Sequence, residues 1–166
     1  MTRKWDKIGE SKYSFSVDNN IVGEMEIMIN SIDSKATFQI KDEKFIIKRA
    51  GFWKSSIEII NSKQETVAKT YFEKWYANSS VLEYGDKKYK LIVHNNPLAE
   101  YSIINGNKNL LAYGLNTDNG KVNVKITSEN SSTDFLLDFL LWYLFIPIAS
   151  ENMGDNFTFL MLTTTQ

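Results

Sequence analysis

Apolar and polar positions alternate along most of this chain. Met25, Ile27 and Ile29 alternate with Glu24 and Glu26, and Val122, Val124 and Ile126 with Lys121, Asn123 and Lys125. A period of two turns one set of side chains to a core and the other to water, which is the pattern of a half-buried strand. Shorter runs of the same kind occupy residues 5–8, 13–17, 36–40, 44–49, 57–60, 66–72, 81–84, 89–93, 100–104 and 110–115. Turn chemistry separates them: Asp18-Asn19-Asn20, Lys41-Asp42, Ala50-Gly51, Asn61-Ser62, Gly85-Asp86, Asn95-Asn96-Pro97, Asn105-Gly106-Asn107 and Asp118-Asn119-Gly120. Asn, Asp and Gly tolerate the positive φ of tight hairpins. The pattern predicts about a dozen strands at roughly 8–12-residue spacing, the rhythm of a sandwich or barrel. No stretch reads as a βαβ crossover, so the pairing is expected to be antiparallel.

The character changes near the C-terminus. Ser131-Ser132-Thr133-Asp134 is a helix-start signal, with a hydroxyl to cap the first amides and a carboxylate at the positive end of the dipole. From Phe135 to Ile146 only Asp138 is charged, and Pro147 is expected to end the helix because the residue before a proline avoids the helical region. A helix over about 133–146 that is apolar all round is buried on all sides or lies in a membrane. It spans roughly 20 Å, against about 30 Å of bilayer hydrocarbon, and Asp138 adds a penalty there. No transmembrane span is expected. Strands of five to seven residues rise roughly 17–23 Å, matching the helix. Eight strands fill a barrel with their own side chains and sixteen leave a channel, so about twelve would hold one helix. The expected fold is mainly β: one domain over 1–166, a closed antiparallel barrel of about twelve strands around a central hydrophobic C-terminal helix. The stretch 157–162 reads equally as a last strand or a packed tail.

This architecture resembles the Tubby C-terminal-like superfamily, which includes Tubby domains, phospholipid scramblases and LURP-one-related proteins. The resemblance is carried by Phe45-Ile46-Ile47-Lys48-Arg49-Ala50-Gly51-Phe52-Trp53 in an early hairpin and by the run from Asp134 to Pro147. It is one of pattern and spans nearly the whole chain. It implies a twelve-stranded barrel with a central helix. It also implies a mixed range of functions, among them phosphoinositide binding by basic residues on the barrel surface and association with membranes and calcium. The cysteine cluster that carries lipid on scramblases has no counterpart here, since the chain contains no cysteine.

Composition narrows the chemistry. Without cysteine there is no disulfide framework, thiolate nucleophile or Cys-ligated metal. The 19 basic and 20 acidic residues nearly balance, and a nucleic-acid partner, which favours a basic excess, is not expected. The charged N-terminus leads into no apolar run and is not read as a secretory signal, so the expected location is cytoplasmic, with peripheral contact at a membrane. His94 is the only histidine, beside a turn, and is read as exposed. Asp118-Asn119-Gly120 lacks the ligand series of a calcium loop, and no nucleophile elbow, phosphate loop or dinucleotide fingerprint appears. No catalytic residue, metal site or cofactor is therefore assigned. Asp134 and Asp138 lie four apart on one helix face; a buried Asp138 requires an inward-facing Lys, Arg, Tyr or Trp. Lys48, Arg49 and Lys54 flank Phe52-Trp53, a combination suited to an anionic lipid headgroup, although adjacent Lys48 and Arg49 point to opposite faces of a strand. Lys87-Lys88-Tyr89-Lys90 is a second basic cluster. The expected function is a non-enzymatic binding or scaffold module for anionic phospholipid or a protein partner, with Lys48, Arg49, Trp53 and Lys54 as lipid-site candidates and Asp138 as a buried polar group on the core helix. The alternative is a hydrolase-type enzyme whose carboxylates gather from dispersed positions.

Overall fold

The structure is a computed structural model that describes residues 1–29, 34–51, 55–74, 79–95, 98–118, 121–129, 134–153 and 162–163. Twelve strands follow one another as an antiparallel meander: β1 Arg3–Lys7, β2 Lys12–Val17, β3 Asn20–Ile29, β4 Ser34–Ile40, β5 Glu43–Ala50, β6 Ser56–Asn61, β7 Thr66–Tyr71, β8 Ser79–Tyr84, β9 Lys87–Asn95, β10 Ala99–Asn105, β11 Lys108–Asp118 and β12 Lys121–Ser128. Each pairs with its sequence neighbour, and the sheet curls into a nearly closed barrel. Helix α1, Leu136–Met153, follows, and a two-residue strand, β13 Leu162–Thr163, pairs parallel with β12. The rest of the apolar run 157–162 lies outside the described residues.

Turn chemistry sets the hairpins as expected. Asp18 and Asn19 both adopt positive φ (50° and 66°) between the paired Val17 and Asn20, the geometry of a two-residue type I′ turn. Strand alternation then delivers an inner face. Trp5, Phe15, Met25, Phe38, Ile47, Leu82, Ile103 and Tyr113 are all buried, from strands all around the barrel.

Helix α1 fills the space these residues enclose. Phe139 packs on Trp5, Phe15 and Phe38 at centroid distances of 4.9, 5.6 and 4.7 Å. One turn on, Trp142 stacks on Trp5 at 4.9 Å and 5°. Phe145 meets Tyr101 on β10 and Tyr113 on β11. The fit at β3 is tight. A Cβ at Gly23 would run into the Gln39 carbonyl oxygen on β4 and stand 2.9 Å from the Phe139 ring, so only glycine lets the two strands and the helix approach there.

The helix differs from the sequence expectation at its C-terminal end. It does not stop before Pro147 but runs through it to Met153. The proline ring is exposed, and it removes one main-chain donor from the ladder. The following turn recovers stability by burial: Ala149 is fully buried and Ile148 packs against the core. Ser150 Oγ also donates to the Ile146 carbonyl at 2.7 Å. Tertiary packing here outweighs the local preference of a pre-proline residue.

Candidate functional site

The helix N-terminus opens onto one end of the barrel, beside the β8–β9 turn. A cleft of about 440 Å³ lies there, lined by Arg3, Tyr84, Lys87, Tyr89, Asp134 and Asp138 among others. Strand β1 brings Arg3 to it, inward-facing and only 4% exposed. Helix α1 brings Asp138, 1% exposed, and β11 brings Tyr113. The Arg3 Nε stands 3.1 Å from Asp138 Oδ1, and the Tyr113 hydroxyl donates to the same oxygen at 2.9 Å. Trp5 Nε1 in turn donates to the Tyr113 hydroxyl at 3.0 Å. The Arg3 guanidinium also lies 5.8 Å from the centre of the Phe135 ring. A buried carboxylate thus has both a counter-ion and a neutral donor.

Burial nevertheless dominates its chemistry. It pushes the Asp138 carboxyl up to about 6, against the opposing pull of the Arg3 charge and the Arg3 and Tyr113 hydrogen bonds. Asp134, exposed at the cleft edge, adds to the rise. Asp134 itself accepts from the Leu136 amide at 3.3 Å and from the Tyr84 hydroxyl. Burial, and then that bond, hold the Tyr84 phenol well above its usual range. The arrangement ties β1, β11 and α1 together. Asp138 contacts internal donors on both oxygens, which suits a clamp better than a general acid that must reach substrate. Among the described residues no three His, Asp or Glu side chains are placed to hold a metal ion.

The lipid-site candidates separate. Lys48 is exposed on the outer face of β5, while Arg49 turns toward the barrel rim and bonds the Tyr143 hydroxyl, which itself donates to the Ser34 carbonyl at 2.7 Å. Trp53 and Lys54 lie outside the described residues. What the structure adds beside Lys48 is Lys35, its register partner on β4. The same outer row continues through Glu58, Lys69, Glu83 and Lys88, each the register partner of the one before. Ion pairs join Lys69 to Glu58 at 3.3 Å and Lys88 to Glu83 at 2.8 Å. Opposite charges therefore alternate along the row except at its β4–β5 end, where two lysines face each other.

That end of the row lies at the barrel end opposite the helix N-terminus. Met28 is the register partner of Lys35, Ile8 sits at the β1–β2 turn, and Phe72 and Val93 close β7 and β9 at the same end. Among the described residues they are the large apolar side chains exposed there: Ile8 52%, Met28 40%, Phe72 51% and Val93 40%. His94 is exposed beside Val93, in register with Glu100.

Arg3, Tyr113 and Lys35 were not singled out by sequence. Nothing distinguishes Arg3 from its charged neighbours, and Tyr113 sits inside an apolar run; their meeting with Asp138 is a long-range event. The strand register alone reveals the Lys35–Lys48 juxtaposition. Comparison with known proteins finds no matching family model, no matching curated protein and no matching solved structure.

Proposed function

We propose that this chain is a non-enzymatic binding module, a barrel of the Tubby-like kind, that docks peripherally on an anionic phospholipid surface through the end bearing Lys35, Lys48 and the exposed apolar side chains. The observation that carries this is the lysine pair. Like charges directly opposite one another on a sheet disfavour pairing. A phosphate seated between the two ammonium groups turns that repulsion into attraction. Met28 beside the pair, with Ile8, Phe72 and Val93 at the same end, supplies the apolar contact that interfacial binding adds to charge. Anionic lipid on the cytoplasmic leaflet is the matching surface, in keeping with the cytoplasmic location expected of the chain. The filled interior also supports the reading, because a plugged barrel leaves its outside and its ends for recognition. Lys48 is then a headgroup ligand, and Arg49, held by Tyr143, shapes the rim behind it.

Co-sedimentation with vesicles tests this. Binding is expected to vesicles that contain phosphatidylserine or phosphoinositide, to weaken with salt, and to be negligible with phosphatidylcholine alone. Lys35→Gln/Lys48→Gln is expected to weaken it about thirtyfold, from roughly 1 kcal/mol per basic residue near the surface. Phe72→Ser is expected to weaken it without altering the salt dependence. Equal binding to neutral and anionic vesicles, or none to either, overturns the proposal; in the second case a protein partner becomes the reading to pursue.

A further inference from the structure

We propose that the mouth cleft binds a free α-amino acid with an apolar side chain, the ligand's carboxylate on Lys87 and its ammonium on Asp134. This site lies at the barrel end opposite the lysine pair and does not depend on lipid docking.

Strand register builds the walls. Leu82 is fully buried, so alternation turns Tyr84 on β8 to the same inner face. Lys87 and Tyr89 on β9 are the register partners of Tyr84 and Leu82, and cross-strand partners share a face. Tyr84, Lys87 and Tyr89 all line the cleft. Beneath them the Arg3–Asp138 pair forms a floor withdrawn from solvent. Leu110 and Leu137, both half-buried, add apolar wall. The volume of about 440 Å³ takes a molecule of amino-acid size. Apolar walls with a few placed polar groups are the usual construction of a small-molecule site.

The polar groups carry opposite charges. Asp134 is exposed yet held on both oxygens: the Leu136 amide donates to Oδ1 at 3.3 Å, and the Tyr84 hydroxyl to Oδ2. Burial and then that bond raise the Tyr84 phenol, so it remains a donor at neutral pH and fixes the carboxylate. A carboxylate accepts at about four lone-pair positions, which gives Asp134 room for an ammonium. Lys87 works in the same part of the cleft. It sits directly across the ladder from Tyr84 with a side chain of similar reach, and the Tyr84 hydroxyl touches Asp134. Its neighbour Lys88 is engaged by Glu83 at 2.8 Å on the outer face, whereas Lys87 turns to the mouth. A ligand with one charge meets a like charge on one wall: a plain amine meets Lys87, and a plain acid meets Asp134. An α-amino acid carries both signs on one carbon, so each wall gains a charge-assisted hydrogen bond. Its side chain then rests on Tyr89, Leu110 and Leu137.

Isothermal titration calorimetry on the full-length protein tests this with three probes that share one ring. L-phenylalanine carries both charges. L-phenylalaninamide keeps only the ammonium, and N-acetyl-L-phenylalanine only the carboxylate. L-phenylalanine is expected to bind about tenfold more tightly than either analogue, the worth of one hydrogen bond to a charged group. Asp134→Asn keeps a good helix cap and removes the charge. It is expected to weaken L-phenylalanine about tenfold and to abolish its advantage over the N-acetyl compound. Lys87→Gln, at an exposed side chain, is expected to abolish the advantage over the amide; a role in folding alone would leave both preferences intact. This second variant decides the matter if Asp134→Asn does not fold. No heat with L-phenylalanine at millimolar concentration overturns the proposal. So does an analogue that binds the parent as tightly as L-phenylalanine, or an affinity for L-phenylalanine unchanged in Lys87→Gln.

Discussion

Asp138 is the residue in which burial and charge are most directly opposed. Its helix offers it no partner, and Arg3 and Tyr113 come from 135 and 25 residues away. Burial still wins, raising the carboxyl from an ordinary 3.8 to about 6. A carboxyl that binds its proton more tightly in the fold than in the unfolded chain contributes stability that is complete below about pH 4. That contribution is lost as the pH rises through 6, on the order of 3 kcal/mol for a shift of this size. Tyr113→Phe probes this. The substitution removes a donor to the ionised carboxylate and the hydroxyl oxygen to which the Trp5 indole N–H donates. We expect urea denaturation to show a loss of about 1.5–3 kcal/mol at pH 7.5 and a smaller loss at pH 4.5, where Asp138 is neutral and needs the donor less. Comparing variant with parent at each pH cancels the other carboxylates. An equal loss at both would mean that Asp138 does not change charge in this range. A single acid on an apolar helix was legible in the sequence as a group needing a partner. Which cation answers it was not, because Arg3, Lys4 and Lys7 are all cations near the start of β1 and only the finished barrel shows which of them is buried.

Elements were legible where a short repeat sets them. Alternation and turn residues placed strands close to their observed positions, since both act within a few residues. The helix end shows the limit of local rules. Pro147 disfavours helix by its missing donor and its ring, yet buried Ala149 and half-buried Ile148 carry the helix on. Packing of that kind depends on the barrel wall, which no local pattern reports. Gly23 is similar: in sequence it is a weak point in a strand, and in the fold it is where β4 and Phe139 come closest. The proline leads to a prediction. Its ring is exposed, so Pro147→Ala loses little packing and restores an amide able to meet the Tyr143 carbonyl one turn back. We expect stabilisation of about 1–3 kcal/mol, read as a rise in thermal midpoint. A fall would mean that the proline fixes a bend on which the Ala149 packing depends.

At the scale of the whole molecule the barrel and its helix are one core, not a shell with contents. Inner-face residues on separate strands meet helix side chains: Phe38 on β4 stacks on Phe139, and Tyr101 on β10 packs on Phe145. The match between strand rise and helix length made this arrangement legible from sequence, because both follow from fixed geometry per residue. If the helix is the core, a charge at its centre is intolerable. Leu140 is fully buried and is not among the residues that line the mouth cleft. Leu140→Asp must then bury an uncompensated charge or hold its proton at great cost. Either outcome is comparable with the roughly 5–15 kcal/mol that holds a domain together. We expect the variant to show no cooperative thermal transition and no near-ultraviolet dichroism. Leu137→Asp is the control: Leu137 is half-buried and lines the mouth cleft, where solvent and Lys87 are within reach, and it is expected to fold with a lowered midpoint. A Leu140→Asp protein that melted cooperatively at the parent temperature would show that the strands pack without the helix, and the barrel would then be hollow enough to take a ligand.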